Sequence, residues 1–440
     1  MERELMLDLI AWKENPKKKP LVLQGVRQCG KTYLIEDFAK RYYQDYAIFR
    51  FDKDARIKSF FEGDLDPARI IKDLGLWRGK AIMPKETLIV FDEIQECAKA
   101  ITSLKYFCED APEYHIISAG SLLGVAVHED TSFPVGKVEF LTLYPMSFYE
   151  FLLAQNSLLA ENLKSSGLKD PIWTDFREEL QNKFRDFQII GGMPEAVQAW
   201  LDTQDIKMVE KIQDEILLGY QQDFGKHAPA QDYPKILAVW QSIPSQLGKE
   251  NRKFIFSQVK KSWRAKDLEN TLIWLMKAGL VYKVENIEKP AYPLSAYADH
   301  TFFKCYVSDI GLLRRMADLP AQILYDENKV YSEFKGAMAE NHIACELKKL
   351  YGKTKDKELY YWSASAPSHA EVDFIVQDSD TKYLVPIEVK AKSAKHARSL
   401  HRYCQQFHPE KSVLTSLDEI NDRHLPLYAF FKLREFVQGQ

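Results

Sequence analysis

Cysteine is scarce in this chain of 440 residues, and its few copies form no pattern. The six cysteines are scattered, and no two of them stand in a CxxC pair. This excludes a disulfide framework and a cysteine-based zinc site, and it favours reduced thiols in the cytoplasm. The histidines share no ligand spacing with the cysteines, so we expect surface or capping roles for His128, His227, His342, His369 and His396.

Long apolar runs are missing as well. The longest charge-free apolar stretch, Ile116–Val127, has about a dozen residues, fewer than the roughly 18 that a membrane span needs. The N-terminal segment carries acids among its apolar residues and has no small-residue cleavage site, so we expect no signal peptide. The sequence therefore predicts a cytoplasmic protein without a membrane partner.

The chain has no strong charge of either sign. Lys plus Arg number 60 and Asp plus Glu number 63, which gives a formal net charge of −3. This balance excludes a highly basic, histone-like protein but leaves room for a local basic patch. The apolar fraction of 46% and the charged fraction of 28% are ordinary for globular proteins, and the length allows two to four domains.

A glycine-containing motif near the start predicts a phosphate-binding loop. The apolar strand Leu21-Val22-Leu23 precedes Gly25-Val26-Arg27-Gln28-Cys29-Gly30-Lys31-Thr32, and a predicted helix follows. This is G-x-x-x-x-G-K-T between a strand and a helix, a context that argues against a chance glycine turn. The loop N–H groups and the start of the helix would hold the phosphates of ATP. Lys31 would reach the β- and γ-phosphates, and Thr32 would ligate Mg²⁺.

Two acids follow a second apolar strand, Thr87–Phe91. In P-loop folds an acid at such a strand end lies beside the phosphate loop. We therefore predict that Asp92 holds Mg²⁺, commonly through water, and that Glu93 activates the attacking water as general base. A solvated strand edge is the alternative, which the upstream loop disfavours. The alternation of strands and helices predicts an α/β fold with a mostly parallel sheet.

Six segments in this order carry a resemblance to a known family: Gly25–Thr32, Phe91–Gln95, Ala119–Ser121, Leu143–Phe151, Gly191–Glu195 and Lys304–Leu313. The chain resembles, over essentially its whole length, prokaryotic AAA-superfamily ATPases whose C-terminal half is a domain of unassigned function related to PD-(D/E)xK nucleases. The resemblance implies that Ser121 senses the γ-phosphate, although a simple strand-to-loop turn is the other interpretation. Most of the segments are predicted to be architectural.

The segment before Leu143 departs from the pattern of that family. It reads Phe133-Pro134-Val135-Gly136-Lys137, where relatives have Pro-Gly-Arg or a similar run. Lys137 keeps the charge of the arginine but lacks its planar fork. We therefore assign no arginine finger, and Arg27 and Arg185 are candidates by charge alone.

The resemblance and the element order together predict four domains. Residues 1–150 would form an AAA-type P-loop ATPase core, 151–230 a helical lid, 231–325 a winged-helix-like domain, and 326–440 a PD-(D/E)xK nuclease-like (restriction-endonuclease-like) α/β domain. At the turn of the winged helix stands a basic cluster: Lys260, Lys261, Arg264 and Lys266. These cations would contact DNA phosphates, or they are solvated side chains of a module that binds protein.

The last segment holds a second candidate site. Glu388 and Lys390 point to one face of a strand because side chains alternate, and Asp373 lies on the preceding strand. With Glu340 on the helix before them, Asp373 and Glu388 would hold Mg²⁺ or Mn²⁺, and Lys390 would act catalytically on a scissile phosphate. The alternative is a nuclease-like domain that keeps its ion network and cuts nothing.

The leading prediction is a Mg²⁺-dependent, DNA-associated ATPase with a C-terminal nuclease-like domain, for which metal binding and DNA cleavage are open possibilities. The rival prediction is a nucleotide-dependent interaction switch whose inactive C-terminal domain binds a protein partner. Both predict ATP binding, and neither fixes the oligomeric state.

Overall fold

The structure, a computed structural model, describes residues 1–120, 133–325, 332–354, 356–364, 370–378, 381–393 and 397–439. The chain forms two compact units. The first consists of Met1–Pro145 with Lys277–Gly279 and Gly352–Asp356, and the second of Met146–Met276, Leu280–Tyr351 and Lys357–Gln440. Within the described ranges, none of the helices combines the length and the apolarity that crossing a bilayer requires.

The first unit is built around a five-stranded parallel sheet, as the sequence predicts. Its elements are α1 (Leu5–Glu14), β1 (Leu21–Gln24), α2 (Lys31–Tyr42), β2 (Asp45–Arg50), α3 (Ala55–Ser59), α4 (Pro67–Arg78), β3 (Thr87–Asp92), a 3-10 turn (Ile94–Glu96), α5 (Ala98–Asp110), β4 (His115–Ala119) and β5 (Glu139–Thr142). Every residue of β3 and β4 is buried, as expected for strands of a parallel sheet that is covered on both faces.

The strand order of this sheet is β2-β3-β4-β1-β5, and it sets the width of the site. Because β4 lies between them, the carboxyl ends of β1 and β3 are two strand spacings, or about 10 Å, apart. Aromatic packing holds β3 in place, since the ring of Phe91 contacts those of Phe51 and Phe61 at centroid distances of 5.8 and 5.6 Å.

The second unit begins with a run of helices. They are α6 (Phe148–Gln155), α7 (Ser157–Ser165), α8 (Ile172–Asp175), α9 (Arg177–Ile190), α10 (Pro194–Thr203), α11 (Ile206–His227), α12 (Tyr233–Leu247), α13 (Phe256–Val259) and α14 (Ala265–Lys277). The predicted break in the helical region is present, because α9 ends at Ile190 and α10 begins at Pro194. The assignment of this region as a lid stays a prediction.

A mixed six-stranded sheet with the order β11-β10-β9-β8-β6-β7 follows. The remaining elements are β6 (Val281–Ile287), a 3-10 turn (Leu294–Tyr297), β7 (Ala298–Val307), α15 (Ile310–Met316), α16 (Gln322–Tyr325), α17 (Ser332–Tyr351), β8 (Leu359–Ser363), β9 (Glu371–Gln377), β10 (Leu384–Val389), α18 (Arg398–Phe407), β11 (Val413–Thr415), a 3-10 turn (Leu427–Lys432) and α19 (Leu433–Gly439). The predicted wing strand is part of β6, which pairs in parallel with β8. The predicted boundary between the third and fourth domains, at residues 325 and 326, thus falls between strands that belong to one sheet. The division into four domains stays a prediction.

Three of the resemblance segments meet at a close backbone approach. The amide of Met146 donates to the carbonyl of Gly192 over 2.7 Å, and the amide of Gly192 donates to Asp309 Oδ2 over 2.6 Å. A side chain on Gly192 would collide with the main chain of Met146, and Gly191 has a φ of 76° that favours glycine. The glycine pair therefore has an architectural role.

We expect Gly192→Ala to lower the free energy of unfolding by about 1–3 kcal/mol, because an added methyl group forces the backbone at Met146 to move. The matched control is Gly219→Ala in α11, where nothing lies within 4 Å of an added Cβ atom. The control should raise stability by about 0.5–1 kcal/mol, since alanine restricts the unfolded chain. Denaturant unfolding measures both, and effects of the same sign would contradict this packing.

The expectation of surface or capping roles is wrong for His342. This residue of α17 is buried, its Nε2 donates to the carbonyl of Leu427 over 3.2 Å, and its ring meets the edge of Phe184 at 4.8 Å. Burial lowers the pKa of His342 to about 3, so the ring is neutral at pH 7. His128, His369 and His396 lie outside the described residues.

Candidate functional site

The phosphate loop runs from β1 to α2, and its course depends on unusual backbone angles. Gly25 has a φ of 147° and Gly30 a φ of 94°, and a side chain on Gly25 would collide with the carbonyl of Leu143. Cys29 is buried, and its Sγ donates to the same carbonyl over 3.4 Å. The small residues of the motif therefore let the loop lie against the end of β5.

Arg3 supports the loop, and the sequence gives no sign of this role. Its guanidinium donates to the carbonyl oxygens of Cys29 and Tyr144 over 2.9 and 2.5 Å, and the side chain is buried. These bonds join the N-terminal segment to the loop and to the segment after β5. Because a guanidinium has fixed donor directions, they restrict the loop to one path.

Lys31 is the first residue of α2 and is buried in the loop. Its Nζ donates to the carbonyl oxygens of Gly25 and Val26 over 2.8 and 2.9 Å. The ammonium group is thus held where the loop curves, beside the N–H groups at the start of α2. This is the position from which a lysine binds the β- and γ-phosphates in P-loop proteins.

Thr32 and Asp92 come together as the sequence suggests. The Thr32 hydroxyl donates to Asp92 Oδ2 over 3.3 Å, across the gap between the loop and the end of β3. Arg50, the register partner of Asp92 on β2, has its Nε 3.8 Å from the same oxygen. Burial raises the pKa of Asp92, and the charge of Glu93 raises it further.

A hydroxyl and a buried carboxylate side by side fit a hard divalent cation. Mg²⁺ prefers oxygen ligands and commonly keeps several waters when it is bound with a nucleotide. A cation there would also relieve the cost of ionising the buried Asp92 next to Glu93. Thr32 and Asp92 are therefore the residues that would hold Mg²⁺.

Glu93 follows Asp92 in a left-handed backbone conformation with a φ of 51°. Such angles are uncommon for residues other than glycine and are often found at functional sites. The strand ends here, and the Gln95 amide donates to Glu93 Oε2. Gln95 is therefore a second residue of the site for which the sequence predicts no role.

The candidates for the γ-phosphate sensor and the arginine finger gain no support. Ser121 lies outside the described residues. Lys137 forms a surface ion pair with Glu109 over 2.7 Å, and Arg185 donates to Asn182. Arg27 is exposed on the loop. The arginine finger is therefore still unassigned.

The second candidate site gathers acids and cations in the second unit. Asp373 on β9 accepts a hydrogen bond from the amide of Val389 over 2.8 Å, next to Glu388 on β10. Glu388 Oε1 accepts from Lys390 over 2.6 Å. We call Glu340, Glu371, Asp373 and Glu388 the carboxylate cluster.

Residues to which the sequence analysis gave no site role occupy this cluster. The buried Lys304 on β7 has its Nζ 2.7 Å from Glu371 and 3.4 Å from Glu340. The Tyr306 hydroxyl donates to Glu340 Oε2 over 2.6 Å, and Arg252 pairs with Glu340 Oε1. Lys304 and Tyr306 belong to one of the resemblance segments, whereas no sequence pattern points to Arg252.

The carboxylate cluster does not fit a divalent metal in this arrangement. Among the described residues, no group of three or more His, Cys, Asp or Glu side chains is placed to hold a metal ion. The predicted ligands Glu340, Asp373 and Glu388 instead accept from cations and from the main chain. Burial and the neighbouring Asp373 raise the pKa of Glu388 to about 7.

The basic cluster forms a third feature, in the turn after α13 and the first residues of α14. All four of its side chains are exposed, namely Lys260, Lys261, Arg264 and Lys266. In the described part of the chain, none of them has a carboxylate within ion-pair distance, and Lys260 lies 4.7 Å from the ring of Trp263. Four exposed cations at the start of a helix form a local positive surface on a chain of nearly neutral charge.

Comparison with protein families agrees with the first site. Residues 17–152 match the family described as AAA domain. Residues 181–323 match Domain of unknown function (DUF8612), and residues 335–425 match Domain of unknown function (DUF4143). No curated protein matches the chain significantly.

Among solved structures, the chain matches a Walker-type ATPase of Pyrococcus abyssi at 16% identity and a TM-score of 0.44, over 71% of this chain and 95% of that one. AMPPCP-bound DnaA from Aquifex aeolicus matches at 13% identity and a TM-score of 0.28, over 63% and 87% of the two chains. Cdc6p from Pyrobaculum aerophilum matches at 11% identity and a TM-score of 0.23, over 73% and 93%. At these values the three likenesses assign neither a fold nor a function to this chain.

The loop geometry and the match over residues 17–152 together define the class of the first unit. It is an AAA-type P-loop ATPase domain that binds ATP. The matches in the second unit name families of unknown function and assign no activity.

Proposed function

We propose that this protein is a Mg²⁺-dependent ATPase of the cytoplasm that associates with DNA through its second unit. Lys31 and the loop amides bind and orient the β- and γ-phosphates, and Glu93 orients the attacking water and accepts its proton. Thr32 and Asp92 would hold Mg²⁺, which when bound neutralises charge on the phosphates. Gln95 positions the Glu93 carboxylate through its hydrogen bond.

The contact between Thr32 and Asp92 is the observation that supports ATP hydrolysis. A hydroxyl from the phosphate loop and a carboxylate from a different strand lie 3.3 Å apart, with the Lys31 ammonium held in the same loop. A glycine turn with a purely structural role has no need for a buried acid at this place, because burying a carboxylate is costly.

The basic cluster is the observation that supports association with DNA. Phosphate contacts need only a local group of cations, and they supply most of the sequence-independent affinity for DNA. The cluster lies at the start of α14, which in the proposed winged helix would be the second helix of a helix-turn-helix, and in such modules this end faces the phosphates and base edges. Cleavage of DNA is not part of the proposal, because the carboxylate cluster is already paired with cations.

The second candidate function is a nucleotide-dependent switch that binds a protein partner. The internally paired carboxylate cluster favours it, because a nuclease-like unit whose acids serve an ion network is free to act as a binding module. The two candidates share the ATPase site and differ only in the partner of the second unit.

The rate of ATP hydrolysis, measured with and without duplex DNA at low and at physiological salt, tests the proposal. We expect DNA to stimulate turnover at low salt and the stimulation to decline as salt rises. DNA releases counterions when the protein binds it, and this release favours binding less at high salt. Turnover that DNA leaves unchanged, together with an absence of DNA binding, would support the switch instead. An absence of turnover under every condition would contradict both candidates.

A further inference from the structure

We propose that the ammonium group of Lys304 is the resident cation of the carboxylate cluster and takes the place of the divalent metal that the resemblance to nucleases implies. The wild-type second unit would then bind neither Mg²⁺ nor Mn²⁺ at this place and would not cut DNA. The proposal is independent of ATP hydrolysis, and it is compatible with DNA association because phosphate contacts by the basic cluster require no metal.

Lys304 lies where the acids converge. Its side chain is 1% exposed, and its Nζ is 2.7 Å from Glu371 Oε1, 3.4 Å from Glu340 Oε2 and 3.7 Å from Asp373 Oδ1. These acids come from α17 and β9, so one ammonium group connects elements that are distant in sequence. The face of the Tyr361 ring, 5.1 Å away, closes another side of the ammonium.

The ammonium group is charged in this environment. The carboxylates of Glu371, Glu340 and Asp373 surround its Nζ, and their opposite charges offset the cost of burying the ammonium group. A buried charge persists only where it is paired and hydrogen-bonded, and Lys304 meets that condition. Its charge is therefore a permanent part of the cluster at neutral pH.

The oxygens that a metal would need are already used. Glu340 accepts from the Tyr306 hydroxyl and pairs with Arg252, and Asp373 Oδ2 accepts from the Val389 amide. Mg²⁺ and Mn²⁺ prefer an octahedron of oxygens, part of which is water. A divalent ion here would have to displace these donors and would then lie against the buried ammonium.

One carboxylate oxygen of the cluster is still able to accept a ligand. Glu388 Oε2 is buried and has no hydrogen-bond partner among the described residues. The other oxygen of Glu388 is held by Lys390, and the neighbouring Asp373 has its Oδ1 3.7 Å from the Lys304 ammonium, so a metal ion bound to the free atom and to Asp373 would be repelled by that charge. Loss of the Lys304 charge should therefore turn the cluster into a metal site.

The test measures how much Mn²⁺ the whole chain binds in the absence of nucleotide. Electron paramagnetic resonance reports the bound and the free ion. All variants carry Thr32→Ala, which removes a metal ligand of the ATPase site. With Lys304 present we expect no bound Mn²⁺ at millimolar metal. In Lys304→Ala we expect about one Mn²⁺ per chain, because three acids lose their cation and the truncated side chain leaves room for a hydrated ion. Adding Asp373→Asn to Lys304→Ala should abolish the binding.

Binding of Mn²⁺ by the protein that retains Lys304, with loss of that binding in Asp373→Asn, would overturn the proposal. So would a folded Lys304→Ala protein that binds no Mn²⁺. Lys304→Gln serves if the alanine variant does not fold, since glutamine keeps most of the volume without the charge. If neither variant folds, the protein with Lys304 decides the matter: absence of Mn²⁺ supports the proposal, and Asp373-dependent binding refutes it.

Discussion

Replacement of Lys31 by alanine is expected to reduce ATP hydrolysis by at least about 10²–10³-fold, the size of effect seen when one preorganised charge is removed from a developing anion. The physical reason is the position of the ammonium group, held by Gly25 and Val26 within the loop. The measurement is phosphate release at saturating ATP and Mg²⁺. The matched control is Lys40→Ala, because Lys40 is an exposed lysine on the same helix that forms only a surface ion pair with Glu36.

Substitution of the proposed base separates binding from chemistry. Glu93→Gln keeps the size of the side chain but cannot accept a proton, so ATP should still bind while turnover is lost. Lys31→Ala should weaken both. Turnover at the wild-type rate in either variant would show that the site is assigned wrongly.

Removal of the basic cluster is expected to have the second large effect. Four substitutions to serine should lower the affinity for duplex DNA by about 10²-fold or more at low salt and reduce the slope of log K against log salt by up to about 4, because each phosphate contact contributes roughly 0.9. The substituted residues are Lys260, Lys261, Arg264 and Lys266. Fluorescence anisotropy over a salt series measures both quantities.

A control with the same loss of charge makes this result specific. Four exposed lysines of the first unit, replaced together by serine, should leave the salt slope unchanged; they are Lys17, Lys40, Lys53 and Lys72. If the two quadruple variants lose the same affinity, the effect comes from net charge and the basic cluster is not the interface. An unchanged slope in the first variant would likewise remove the cluster from the DNA surface.

The ATPase site could be predicted because its signals are local. The eight residues from Gly25 to Thr32 contain the glycines, the lysine and the hydroxyl in a fixed order, and the strand before Asp92 is apolar throughout. A contact such as the one between Thr32 and Asp92 follows once both motifs are placed at the carboxyl ends of strands in one parallel sheet. The supporting Arg3 could not be found this way, because nothing near it in sequence shows that it meets Cys29 and Tyr144.

The second unit shows the limit of local signals more clearly. Side-chain alternation predicts that Glu388 and Lys390 share a face; β10 ends at Val389, one residue before Lys390, and the two side chains form an ion pair. The sequence cannot show that Lys304, on a strand that among the described residues pairs with β6 alone, reaches Glu371 on β9. Sheet order is set by long-range pairing, so the cation that decides the chemistry of the cluster becomes visible only in the folded chain.

The hydrogen bonds between Lys31 and its own loop have a consequence for nucleotide selection. A ligand that binds this ammonium group must replace its two hydrogen bonds to main-chain carbonyls. A ligand that is a weak hydrogen-bond acceptor therefore gains little binding free energy from the lysine. Only a ligand long enough to bring a charged β- or γ-phosphate to Nζ offers stronger, charge-assisted bonds in return. We therefore expect the loop to select nucleotides by the length of their phosphate chain, so that di- and triphosphates bind the lysine and a monophosphate leaves it bonded to its own main chain.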